Sequence, residues 1–307
     1  MKKSEIFQFE SNIVNSVAKL YQRTEQSLNE DVLTLKSWMK SQPHLPEILD
    51  DYSLQNFLLL NKCSVERAKE SIDMYYTLRS RIPDIYHNVN PTCPNMKEVM
   101  EMVCYVPLPK LTKQMYRVFF FKMISSSMVD RMEPHDVIDL AVNMQEIRLK
   151  EDVMFGDIIV YDMTGLTFGY LSKLTPSFLT KIMTIYTKIY SIPLKGMYVI
   201  NSSSYVSTLL TILKTILKPK IFERIHVCED TTILNEHFPA ELLPKDYGGE
   251  EKSTEELHEL WKLKLNEYQD RFDQLDKLRV NENLRPQKLE NDDFLGIHGN
   301  FKTLSVD

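Results

Sequence analysis

Between Pro193 and Gly249 four kinds of segment follow one another. Pro193-Leu-Lys-Gly-Met-Tyr-Val-Ile-Asn201 is rich in β-formers. The run from Ser202 to Leu217 carries no charge before Lys214. Lys220-Ile-Phe-Glu-Arg-Ile-His-Val227 returns to strand character, and Leu243-Pro-Lys-Asp-Tyr-Gly-Gly249 ends in a turn. Strand, helix, strand and turn in that order predict a parallel crossover rather than a hairpin, because parallel neighbours need a long connection between them. Upstream the same alternation recurs. Tyr116-Arg-Val-Phe-Phe-Phe121 and Asp157-Ile-Ile-Val-Tyr161 read as strands, with a helix from Pro134 to about Asp152 between them. A second helix starts at Thr175-Pro176 and runs to about Tyr190. An α/β domain with a mostly parallel sheet is expected.

The chain ahead of this region has a different period. From about Phe9 to Ile82 the apolar residues fall at helical spacing, as in Leu28, Val32, Leu35 and Met39. Asp50 and Ser64 stand where helix N-caps belong. Residues 83–114 hold five prolines and read as a connector with at most a short helix near Asn95–Val103. After Gly249, Ser253-Thr-Glu-Glu opens a charged helix to about Arg279, striped by Leu257, Leu260, Trp261 and Leu265, and a polar tail follows.

Several classes of function find no support. With a net charge of −6, the chain lacks the concentrated Lys and Arg that a phosphate backbone requires, so no nucleic-acid partner is expected. The first of eight glycines is Gly156, and no glycine-rich phosphate loop occurs. There is no His-Glu-x-x-His, no Gly-x-Ser-x-Gly and no metal-spaced Cys/His cluster, so no metal, no cofactor and no enzyme activity are expected. A hydrolase using Ser202 is the remote alternative. No apolar run of membrane-spanning length and no signal-like segment is read in the sequence. Four widely spaced cysteines then suggest reduced thiols in the cytosol.

Taken in order, Val199-Ile-Asn, Glu223-Arg-Ile-His-Val and Leu243-Pro-x-x-Tyr-Gly-Gly resemble the CRAL-TRIO lipid-transfer family over roughly residues 30–250. The helical block from Leu35-Lys-Ser-Trp-Met-Lys to Leu78-Arg79 looks like that family's N-terminal domain, and Asp162-x-x-Gly165 matches its turn after a strand. The resemblance implies an all-helical N-terminal domain (1–90), a lipid-binding α/β domain with a mostly parallel sheet and a gating helix (91–250), and a C-terminal helix with a docking tail (251–307). It implies intracellular binding of a small hydrophobic ligand, tocopherol-, retinoid- or isoprenoid-like, and its transfer between membranes by a cytoplasmic protein that touches membranes transiently. A phospholipid or phosphoinositide exchange protein and a membrane-trafficking adaptor are the alternatives.

Carried onto this chain, the pocket wall would comprise Phe119, Phe121, Ile158, Val160, Leu166, Phe168, Ile182, Ile185, Tyr186, Ile189 and Val199. The gate would contribute Tyr205, Val206, Leu209, Leu210 and Leu213. Which strand face points inward is left open by the sequence, since a slip of one residue inverts it. Read without the resemblance, a helix apolar nearly all round belongs in a core. Phosphoinositide binding would rest on Lys195, Lys220 and Arg224, a set thinned by Asn61 and Pro193 where relatives carry further basic residues.

Overall fold

The computed structural model describes residues 5–82, 86, 89–125, 129–204 and 206–286. Helices α1 (Ile13–Leu20), α2 (Glu25–Lys40), α3 (Asp51–Leu60) and α4 (Val65–Arg81) form the N-terminal region. Their boundaries follow from capping chemistry. Thr24, Asp50 and Ser64 each accept a hydrogen bond from a backbone N–H of the first turn. The buried face of α2 is the predicted Leu28, Val32, Leu35 and Met39.

Beyond α5 (Pro94–Met102) comes a strand that the prolines concealed. Strand β1 (Val103–Leu111) contains Pro107 and Pro109, where a connector was expected. The prolines are tolerated because β1 is an edge strand: within the sheet its one neighbour is β2 (Arg117–Met123), antiparallel, its register shifts between Pro107 and Leu111, and on its outer side only Gln8 bridges Lys110 among the described residues. Three further elements stand where expected, α6 (Pro134–Glu151), β3 (Asp157–Asp162) and α8 (Pro176–Ile185), and a short helix not read in the sequence, α7 (Phe168–Ser172), lies between the last two. A five-residue π-turn, Tyr186–Tyr190, extends α8 and ends at Ser191 in the left-handed region. Then follow β4 (Leu194–Ile200), α9 (Val206–Ile216), α10 (Pro219–Phe222), β5 (Ile225–Val227) and α11 (Thr232–His237). The predicted charged helix divides into α12 (Thr254–Glu267) and α13 (Gln269–Leu275). The expected docking tail beyond residue 286 lies outside the described residues.

The sheet order is β1-β2-β3-β4-β5, with β2 to β5 parallel. Its two faces are covered differently. One carries Val106, Phe120, Val160, Tyr198 and His226 in a cross-strand row. That face is filled by Tyr247 (4.7 Å from the Phe120 ring) and Phe238 (5.3 Å from the Tyr198 ring), and Cys104 reaches Thr254 at the start of α12. The opposite face carries the row Tyr105, Phe121, Tyr161, Val199 and Val227, with Phe119, Ile159, Met197 and Ile225 beside it.

A wholly buried ion network braces the N-terminal ends of β2 and β3. Arg148 binds both oxygens of Asp157 at 2.8 Å and also Asp152, while Arg117 binds Asp152 and the carbonyls of Leu108 and Pro109. Two cations and two anions cancel, and their lone pairs and protons are engaged, which is what such burial demands.

Candidate functional site

Three of the motifs noted in the sequence meet at one side chain. Asp162, at the end of β3, accepts hydrogen bonds from Asn201 (2.9 Å), the Tyr247 hydroxyl (2.7 Å) and the Thr164 backbone N–H (2.9 Å). Burial alone would raise its pKa, but these donors outweigh it and hold the carboxyl below the usual range. Two glycines make the third motif possible. Gly248 sits at φ +79°, and a Cβ on Gly249 would stand 1.9 Å from the Leu243 carbonyl oxygen. The node ties the turn after β3, the lead-in to α9 and the Tyr-Gly-Gly turn together at the C-terminal edge of the parallel strands, where α/β sheets bind their ligands.

The sheet face beside this node is roofed by α8, its π-turn and α9. In α9 only Val206 is buried; Leu209, Leu210, Ile212, Leu213 and Ile216 are all half-buried. In α8 Phe178, Leu179, Ile182 and Met183 are half-buried too. Read without the family resemblance, a helix apolar on most sides belongs wholly in a core, and this one does not sit in one. Leu209 and Leu210 rest against the sheet core, yet the cover is incomplete.

Beneath this roof two tyrosines combine properties that rarely coincide. Burial is the largest influence pushing the Tyr161 and Tyr186 phenols up, Tyr161 to about 12. Both nevertheless keep accessible surface. A space between sheet and roof would give both properties. Tyr105, from β1, lies with them.

The register sorts the predicted pocket residues. Phe119, Phe121 and Val199 share the roofed face with Tyr161, and Leu166 packs against the same core. Ile158 and Val160 do not: they alternate onto the other face, beside Phe120 and Tyr198, and the residues in their place are Ile159 and Tyr161. Ile182 and Tyr186 lie on the half-buried side of α8 and its π-turn. Ile185 and Ile189 are fully buried in the core shared with Val142, Leu149 and the N-terminal helices, so they support the helix from behind. Phe168 is 55% exposed at the start of α7 and lines nothing internal. Val206 joins the sheet core, Leu209, Leu210 and Leu213 remain on the roof, and Tyr205 lies outside the described residues. His226 is half-buried and stacks on Tyr198 at 5.0 Å.

The basic residues converge. Lys195 has its pKa lowered first by burial and then by the like charges of Arg224, Lys62 and Lys220. Its ammonium lies over the rings of Tyr116 (4.8 Å) and Phe155 (5.5 Å). Arg224 donates to the Leu194 carbonyl. Lys62 was missed in the sequence because its neighbour Asn61 was inspected in its stead. The turn after α3 places Lys62 and Cys63 at φ 55° and 57°, and this brings Lys62 to the cluster.

The chain is thus a helical region followed by a mostly parallel α/β domain with a half-buried apolar helix over one sheet face. The family model described as "CRAL/TRIO domain" matches residues 100–249, and one described as "Pinta-like, UBA domain" matches residues 24–96. Residues 100–249 belong to the CRAL-TRIO family. It is 25% identical over 250 residues to the Homo sapiens protein named "Alpha-tocopherol transfer protein-like", covering 78% of this chain and 70% of that one. It is 21% identical over 233 residues to "Clavesin-2" of Rattus norvegicus, covering 73% and 69%. The solved structure described as "Crystal structure of Sfh5" superposes with a TM-score of 0.43 at 13% identity, over 86% of this chain and all of that one.

Proposed function

We propose that this protein binds one small hydrophobic molecule between the Phe119–Tyr161–Val199 face of the sheet and the roof made by α8 and α9, and carries it between membranes. The observation that carries this reading is the pair Tyr161 and Tyr186, enclosed yet accessible beneath helices whose apolar residues are only half covered. Family membership supports lipophilic-ligand binding in general, and the name of the Homo sapiens relative favours a tocopherol-like or other isoprenoid ligand. The role is that of a carrier and not a catalyst.

The energetics make a movable roof necessary. Withdrawing about 400 Å² of ligand surface from water is worth roughly 10 kcal/mol. A bilayer offers nearly the same gain, so binding contributes little net preference between protein and membrane. What the protein supplies is a route that avoids water, with α9 opening against the lipid surface. Among the described residues no helix is long and apolar enough to cross a membrane, so docking would be peripheral.

A second reading has its own observation. Lys62 beside Lys195, Lys220 and Arg224 restores charge that Asn61 and Pro193 withhold, which favours an anionic phosphoinositide head group at this edge during exchange. The test is native mass spectrometry of purified protein followed by transfer between vesicles. A co-purifying isoprenoid or acyl lipid, transferred by wild type and not by Leu209→Asp, is the expected result. Protein that neither retains nor transfers any lipid would end the carrier reading, and transfer indifferent to phosphoinositide and to Lys195→Ala would end the second.

A further inference from the structure

We propose that Tyr105, Tyr161 and Tyr186 form a polar subsite inside the ligand space that selects a neutral ligand bearing a hydroxyl or carbonyl at its buried end, against both the bare hydrocarbon and the carboxylic acid. The inference rests on the carrier reading and deepens it.

The three phenols come from β1, β3 and the first residue of the π-turn after α8. The sheet register makes the first two near neighbours. Tyr105 pairs with Phe121, and Phe121 pairs with Tyr161, so the three rings stand in one row on the roofed face. Their frames are rigid. Tyr105 stacks on Phe119 at 5.3 Å, and Phe121 tilts against Tyr161 at 5.4 Å. The π-turn aims the third ring: it sets Tyr186 toward Tyr105 and Tyr161 while Ile189 and Tyr190 go into the core behind. Such single-turn π segments recur at functional sites.

The Tyr161 hydroxyl has no hydrogen-bond partner among the described residues, and its oxygen is not sealed from space. A phenol with no protein partner and an accessible oxygen is open to a hydrogen bond from whatever enters beside it, and a ligand hydroxyl or carbonyl would supply one. Burial keeps Tyr161 protonated at physiological pH, so it donates as well as accepts.

Charge decides which oxygen function fits. The ionised groups acting on Tyr105 and Tyr186 are Arg148 and Asp157. These two are already bound to each other through a pair of 2.8 Å hydrogen bonds. Arg148 therefore has no free charge to offer an incoming carboxylate, which would enter desolvated and uncompensated. An alcohol, phenol, ketone or aldehyde meets donors and acceptors at no such penalty.

The experiment uses full-length, delipidated protein and three probes on one branched skeleton: phytanol, phytane and phytanic acid. Each is offered from phosphatidylcholine vesicles at pH 7, and protein-bound lipid is quantified by mass spectrometry. Wild type is expected to favour phytanol over phytane and over phytanic acid by about tenfold. Tyr161→Phe and Tyr186→Phe should each cut phytanol uptake about five- to tenfold, the worth of one hydrogen bond, and leave phytane unchanged. Tyr198→Phe, on the opposite face, should change neither. Equal uptake of phytanol and phytane by wild type overturns the subsite and leaves the carrier standing. So does an alcohol preference that survives in both phenylalanine variants, or a preference for phytanic acid. Uptake of none of the three probes overturns the carrier reading, and the subsite with it.

Discussion

Helix α6 carries Asp136, Asp139, Glu146, Arg148 and Lys150, yet thirteen of its eighteen residues are buried; α9 has one charge, Lys214, and buries Val206 alone. Composition would have assigned them the other way round. The difference lies in what each helix finds around it. Glu146 of α6 receives hydrogen bonds from Arg79 and from the Tyr75 hydroxyl (2.6 Å), Asn143 donates to the Val89 carbonyl (2.6 Å), and Arg148 sits in the four-charge network. A polar helix with its partners in place can be core. Helix α9 has apolar surface and no complete cover, so it is not part of a solid interior.

The contrast breaks most visibly at the buried ion pair. Glu146→Gln would leave the Arg79 guanidinium buried without a counter-charge, and a loss of about 3–5 kcal/mol in denaturant unfolding is expected. A loss below about 1 kcal/mol would show that α6 is less tightly built than its partners imply.

A matched pair of truncations sharpens it. Leu140→Ala in α6 removes a fully covered side chain and should cost about 2–5 kcal/mol, whereas Leu209→Ala in α9 should cost less than about 1 kcal/mol. Equal losses in urea melts would mean that α9 is packed as core, and the ligand space would have to be sought elsewhere.

The smallest effect concerns the exception within α6. Neither oxygen of the Asp139 carboxyl has a hydrogen-bond partner among the described residues, and burial, aided by Asp136, pushes its pKa up to about 9. In the unfolded chain it ionises near pH 4, so between about pH 4 and pH 9 the unfolded state holds fewer protons and Asp139 lowers stability as pH rises. Asp139→Asn should flatten that decline and raise stability at pH 7 by on the order of 2 kcal/mol. A pH profile of stability identical to wild type would refute the assignment.

Much of the architecture was legible. Thr175-Pro176, Asp50 and Ser64 announced helix starts because capping is a local hydrogen-bond requirement. The order of strands and helices after residue 116 was readable from their periods. The candidate site was legible only in outline. Phe119 and Phe121 lie on one sheet face and Ile158 and Val160 on the other, a division hidden in the sequence because a continuous apolar strand shows no alternation to read. Ile185 and Ile189 face the second core because α8 has apolar neighbours on two sides, the sheet and the N-terminal helices. Lys62, Tyr105 and Tyr161 escaped notice for a common reason: each acquires its neighbours from a strand or turn distant in sequence.

The amino-acid sequence alone settled the local choices: where helices begin, which turns need glycine, and that strands alternate with helices along the second half of the chain. These depend on interactions within a few residues, which a linear string records. Only the tertiary structure decided that β1 is an edge strand able to hold two prolines, that the most apolar helix is half uncovered, and that three phenols from β1, β3 and the π-turn become neighbours. Burial, register and the convergence of distant side chains are properties of what packs against what, and that is set by the cooperative closure of the whole core.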